Sequence, residues 1–431
     1  MNRISLRTIV LIWLAWVVIV IAFQALATAR FSPQFPDRAQ PWTTAFTGPG
    51  YQHGHPYLLD PFMNNQVAWD SEYYLGIATG GYEDPLVPHL QPFGTVFFDY
   101  HTLQLSGGYG GRNLSLSYAF FPLYPWLIWL VSWPLKLLGL DPIATSTLGG
   151  VIVSALGALG AMLALYDLTR ESLGEDGALR AAFYLLIFPT GFFLAQVYTE
   201  GLFVGLAFGC LAMLQRKYWL PAALLGAAAT LTRAVGVVLV IPMGITWIMS
   251  REWLGFDMEW RQMYFSGIPW RPMRHALLAF LPLITFFVWK FSYLGLAFDY
   301  VESNFFGRTV LNLGSSYYAW ATAFASMFSG VPQQGAYYAT EFIGLAIGIA
   351  ACIACLKYNP PVAWFSIAVL VISGGSGAPQ GIQRYILGAP AVFIMLARWG
   401  KDPVFDRAWT LFSTLLMGLL AVLFAFNFWV A

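Results

Sequence analysis

Apolar runs, broken by short polar or charged clusters, follow one another along most of this 431-residue chain. The first covers 9–29, about 20 residues, the length at which a helix crosses a bilayer. After residue 142 such runs recur at 143–166, 179–196, 200–215, 218–233, 234–250, 275–297, 335–356, 360–375, 383–398 and 408–430. The shorter ones fit thinned or buried spans. The pattern predicts an all-α integral membrane protein, a polytopic bundle of about eleven transmembrane helices. Between the first two spans lies one long loop, with short apolar pieces suited to interfacial helices. The expected organisation is a single domain, with a first transmembrane helix in 1–29, the loop in 30–142 and the remaining bundle in 143–431.

Composition agrees. Hydrophobic residues make up 58%, aromatics 17% and charged residues only 10%. Soluble domains run nearer half apolar and about a quarter charged. A net charge of +1 suggests neither nucleic acid nor a strongly acidic partner. The three cysteines, Cys210, Cys352 and Cys355, all lie in apolar runs and give no disulfide framework. The basic start MNRISLR before the first run resembles a signal peptide, but the run is long for one. An uncleaved first helix is expected instead.

Alternating the spans from a cytoplasmic N-terminus sorts the charges. Residues 1–8, 167–180, 215–218, 251–274, 356–359 and 398–407 then face inward and hold most of the 22 Lys and Arg, as the positive-inside rule requires. Segment 120–140, FFPLYPWLIWLVSWPLKLLGL, would invert every later basic cluster if it spanned. It is therefore expected to lie along the outer interface. The outer face carries the long loop and four further places: 198–200, around Arg233, 298–334 and 374–384. Charges at membrane depth are costly, so these places call for a function.

Chemistry-bearing residues gather on that face. WDSEYYLGIATGGY, 69–82, reads as a short helix of about ten residues, with Asp70 at its start and Gly80-Gly81 as a stop. Asp70 reads either as a cap or as a functional acid, and Glu72 as a helix-start acid or a ligand. FPTGFFLAQVYTEG, 188–201, has a proline break and ends in Tyr198-Thr199-Glu200. TLTRAVG, 230–236, and GGSGAPQGIQRYILGAP, 374–390, put Arg233 and Arg384 at span ends, and NFFGRT adds Arg308. Arginine there can snorkel to headgroups or hold a phosphate. His53 and His55 form an H-x-H beside the acids, a weak metal motif. A divalent metal is possible but not required by the sequence, and no cofactor is called for. There is no P-loop, dinucleotide fingerprint or H-E-x-x-H.

These motifs, WDSEYYLGIATGGY followed by AFFPLYP, FPTGFFLAQVYTEGLF and TLTRAVG, resemble the PIG-V family of mannosyltransferases of glycolipid anchor assembly. The resemblance covers roughly 69–250 well and the remainder loosely. It implies a GT-C-like polytopic glycosyltransferase that uses a polyprenyl-phosphate sugar donor on the extracytoplasmic face and inverts the anomeric centre. It maps the family's Trp-Asp acid onto Asp70 and does not require Glu72. The implied setting is the plasma membrane of a prokaryote, with a lipid-linked or glycan acceptor and membrane lipid as partners. Asp70 is expected as general base. Arg233, Arg308 and Arg384 are expected on the phosphate, Tyr82, Tyr198 and Glu200 on sugar hydroxyls, and Glu72 among the substrate-binding residues. The competing class is a transporter or flippase of lipid-linked sugars, for which midplane charges and inverted repeats are expected.

Overall fold

The computed structural model describes residues 3–48, 50–90, 95–99, 104–107, 112–250, 270–309 and 311–430. The chain is built of helices, as expected, apart from a small antiparallel sheet in the long loop. In it Thr95–Asp99 pairs with Gln104–Gly107 and with Arg112–Asn113. Most of the expected 251–274 cytoplasmic loop, 251–269, lies outside the described residues.

Among those residues, four helices are long and apolar enough to cross a membrane: Arg3–Arg30, Pro142–Ile187, Pro332–Cys355 and Pro403–Ala425. Met273–Ala279 and Leu281–Lys290 form a fifth if their 45° bend lies within one span. This is the make-up of a multi-pass membrane protein. The other expected runs form shorter apolar helices, because breaks shorten them. Glu200–Gln215, Trp219–Thr232, Ala234–Met249, Pro360–Gly374 and Pro390–Trp399 hold 10–17 residues each. Pro142–Ile187 contains two expected spans, divided where Gly174 leaves the helix at φ 73°. The second, expected to run to 196, stops at Ile187. Pro189 excludes helical geometry at Phe188, which is extended at ψ 146°, and a 3-10 turn Gly191–Ala195 follows.

Local signals explain the ends that matter. Asp141 caps Pro142–Ile187 by accepting from the Ile143 and Ala144 amides at 2.9 and 3.1 Å. Ser71–Gly80 ends on Gly81, whose φ of 86° suits only glycine readily. The Glu200–Gln215 helix crosses Pro142–Ile187 where Gly157 meets Gly201 and Gly205. A Cβ on Gly205 would come within 3.2 Å of the Gly157 Cα, so the crossing is backbone on backbone. That close approach fixes the head of the Glu200 helix: Ser154 Oγ donates to the Tyr198 carbonyl at 2.8 Å.

The segment 120–140 forms the helix Leu123–Leu135 and a turn Lys136–Leu138. Thirteen helical residues extend about 20 Å, short of a bilayer core of about 30 Å. Tyr124, Ile128 and Ser132 face the bundle, while Trp126, Trp129 and Trp133 are exposed. The long loop is pinned to the bundle by buried glutamines. Gln66 and Gln196 both donate to Gln24 Oε1, at 3.2 and 3.1 Å, and Gln24 donates to the Ala421 carbonyl at 3.2 Å.

Candidate active site

A cavity of about 580 Å³ opens where the long loop meets the ends of several helices. Asp70, Glu72, Arg233, Glu302, Arg308 and Arg384 stand in its wall. Four of the five outer places named from the charge pattern therefore contribute charged side chains to one space. The fifth, 198–200, lies directly behind it.

Asp70 does not cap its helix. Trp69 adopts a left-handed backbone, φ 51°, and Asp70 itself is already helical at φ −58°, ψ −21°. Its carboxylate is thereby turned off the amides it would have capped. Oδ2 accepts from Arg384 Nη1 at 3.0 Å, and the side chain keeps 23% of its surface open. A left-handed tryptophan is uncommon and needs support from both sides. Tyr198 supplies it: its hydroxyl donates to the Ala68 carbonyl at 3.1 Å and accepts from the Asp70 amide at 3.2 Å. The Trp69 indole N–H donates to the Phe428 carbonyl at 3.2 Å.

Glu200 is the counter-ion behind the arginines. It is 2% exposed, and its Oε1 takes a hydrogen bond from Arg233 Nη1 and faces Arg384 Nε at 3.3 Å. The Arg384 guanidinium lies over the Tyr198 ring at 5.2 Å, and Arg233 over the Tyr385 ring at 4.8 Å. Arg308 Nη1 donates to the Tyr385 hydroxyl at 2.6 Å. Tyr385 thus touches all three arginines, since Arg384 also lies 5.5 Å from its ring. Guanidinium groups held this way have the donor geometry that suits a planar or tetrahedral anion.

Glu72 also lines the cavity but points to a different partner. His55 Nδ1 lies 2.8 and 3.0 Å from its two oxygens, and the His55 ring stacks on Tyr51 at 4.3 Å. Burial raises the Glu72 carboxyl above its usual range, and His55 opposes that rise. The H-x-H motif does not build a metal centre with the acids: among the described residues no three His, Cys, Asp or Glu side chains converge for one. Cys210, Cys352 and Cys355 are free and buried.

Three expected sugar ligands are spent inside the protein. Tyr82 donates to the Phe120 carbonyl at 2.8 Å and stacks on Tyr118. Tyr198 holds the Trp69–Asp70 turn, and Glu200 holds two arginines. None of the three is in the cavity wall. The sequence reading passed over other residues that are. Glu302 and Tyr385 are two of them. Trp42, Trp69 and Trp429 pack edge to face, with centroids 5.8, 5.1 and 4.8 Å apart, and all three line the cavity. Asn427, beside them, is 7% exposed, and its Oδ1 has no hydrogen-bond partner among the described residues. The density of tryptophan near both ends of the chain was the available signal.

No protein-family model matches the sequence, and neither does any curated protein. Solved structures give loose likenesses. ArnT from Cupriavidus metallidurans bound to undecaprenyl phosphate aligns at 14% identity and a TM-score of 0.45, over 89% of this chain and 71% of that one. The archaeal oligosaccharyltransferase AglB from Archaeoglobus fulgidus, in complex with an inhibitory peptide and a dolichol-phosphate, aligns at 13% identity and 0.43. That alignment covers 95% of this chain, which spans 56% of AglB. At this level none of the functional reading rests on them.

Proposed function

We propose that the protein is a membrane glycosyltransferase of GT-C type that moves a sugar from a polyprenyl-phosphate donor to an acceptor hydroxyl, with inversion, on the extracytoplasmic face. The observation that carries the reading is the cavity itself. A partly open carboxylate, Asp70, stands against Arg384 in a space that Arg233 and Arg308 also line, between aromatic walls. The motif resemblance to PIG-V enzymes favours mannose as the sugar, and a glycan or glycolipid as acceptor fits the Trp42–Trp69–Trp429 wall.

In this reading the lipid phosphate lies on Arg233, Arg308 and Arg384, and its chain runs along Phe120, Phe121, Phe298 and Phe306. The acceptor oxygen attacks the anomeric carbon from the face opposite the phosphate. The bond from that carbon to the phosphate oxygen breaks, and its electron pair leaves with the phosphate. Asp70 takes the acceptor proton. General-base assistance of this kind contributes roughly 10²–10⁴-fold. The phosphate is already a good leaving group, so no second carboxyl is required to protonate it, unlike in a glycosidase. The arginines stabilise the charge that grows on it.

The test is release of polyprenyl phosphate from a labelled polyprenyl-phosphate mannose by purified protein supplied with glycolipid acceptors. The reading expects acceptor-dependent release that Asp70→Asn lowers by about 10²–10⁴-fold. Movement of intact donor across vesicles without release would indicate a flippase instead.

A further inference from the structure

Three carboxylates line the cavity, and they are not equally provided for. Asp70 has Arg384 at 3.0 Å, and Glu72 has His55 at 2.8 Å. Glu302 has no side-chain hydrogen bond or ion pair among the described residues. It sits on the π-turn Glu302–Phe306, in the 298–334 segment, partly open to the cavity. The backbone folds back there: the Arg308 amide donates to the Glu302 carbonyl at 3.0 Å, across Gly307 at φ 64°. The acid is thereby set next to one of the arginines assigned to the phosphate. That arginine gives an Nη1 donor to Tyr385 and acts on the Glu302 carboxyl through its charge, without a hydrogen bond to it.

The charged groups facing Glu302 are Arg308, Asp70 and Asp299. Asp299 is paired with Lys290, and Asp70 with Arg384. Bringing a phosphate onto the arginines adds a further anion to a confined, largely aromatic space. Like charges in such a space cannot all stay ionised, and the one that takes a proton is the one with the weakest compensation. By geometry that is Glu302. We propose that Glu302 meets the lipid phosphate as a neutral carboxylic acid and donates a hydrogen bond to it beside Arg308. It is a donor-binding residue, and the inference rests on the phosphate-binding reading of this cavity.

Burial already pushes Glu302 up to about 7 without ligand, against the pull of Arg308 and helped by Asp70 and Asp299. The sign follows. The neutral form binds and prevails below pH 7. Above pH 7 the free protein must take up a proton to bind, so affinity falls with rising pH until the bound form also ionises. Glu302→Gln keeps a neutral donor at every pH.

The experiment measures binding of a short-chain polyprenyl phosphate to the full chain in lipid nanodiscs, from pH 6 to pH 8. Ionisation of the ligand itself is common to both proteins and cancels in the ratio of their affinities. Wild type and Glu302→Gln should bind within about twofold at pH 6, and wild type should be about tenfold weaker than the variant at pH 8. Wild type alone provides a second readout, uptake of close to one proton per ligand bound at pH 8, corrected for the ligand's own titration. A ratio that stays flat with pH, or no proton uptake by wild type, overturns the inference while leaving the phosphate reading intact. Loss of binding in folded Glu302→Gln at every pH also overturns it, since it would show that the anion is required. Failure of wild type to bind polyprenyl phosphate at any pH overturns the parent reading and this inference with it.

Discussion

Glu200→Gln removes one charge and strands another, that of Arg233. Glu200 is 2% exposed, Arg384 6% and Arg233 16%, so water screens this cluster poorly. In the wild type Glu200 Oε1 serves both guanidinium groups, while Asp70 serves only Arg384. After the substitution, among the described residues, Arg233 has no carboxylate and Arg384 has one, which is itself partly open to the cavity. Breaking a buried pair from one side costs about 3–5 kcal/mol. An exposed pair would cost about 1 kcal/mol or less. The two cases are separable by thermal unfolding of the full chain in nanodiscs, where the buried case lowers the midpoint by several degrees. Because the damage is an orphaned cation, adding Arg233→Met to Glu200→Gln should restore part of the loss. An unchanged midpoint in Glu200→Gln, or a further fall in the double variant, would refute the view that Glu200 holds the arginines in place.

Two further predictions concern the ends of the cavity. Arg308→Ala removes a charge-assisted contact of about 1.5–3 kcal/mol, so donor binding should weaken roughly 10- to 100-fold, measured by titration with polyprenyl phosphate. Trp429→Ala should raise the acceptor KM about tenfold and leave donor affinity unchanged, measured by varying each substrate separately; equal effects on both would remove the acceptor assignment of the tryptophan wall.

Much of the local architecture could be read from residues. The ten-residue Ser71–Gly80 helix, its glycine stop, the break at Pro189 and the helix end at Thr232 all follow from short-range rules. The convergence of the outer acids and arginines could be read too, because charge topology alone put them on one face. Partner choice could not. Asp70 and Arg384 are 314 positions apart, and nothing local said that a left-handed Trp69 would turn the carboxylate from cap to ion pair. Tyr198 and Tyr82 looked like sugar ligands because hydroxyls at an outer edge suit sugars, yet burial requires each to satisfy a backbone group first.

The central claim is that Asp70 drives transfer of a sugar away from a lipid phosphate. The most direct measurement is acceptor-dependent release of polyprenyl phosphate from labelled donor by purified wild type and Asp70→Asn. Asparagine keeps an acceptor oxygen for Arg384, and Asp70 makes no cap to lose, so the variant should fold and still bind donor. The account predicts turnover lowered by about 10²–10⁴-fold at an unfolding midpoint close to wild type. Wild-type turnover by the folded Asp70→Asn variant would contradict it.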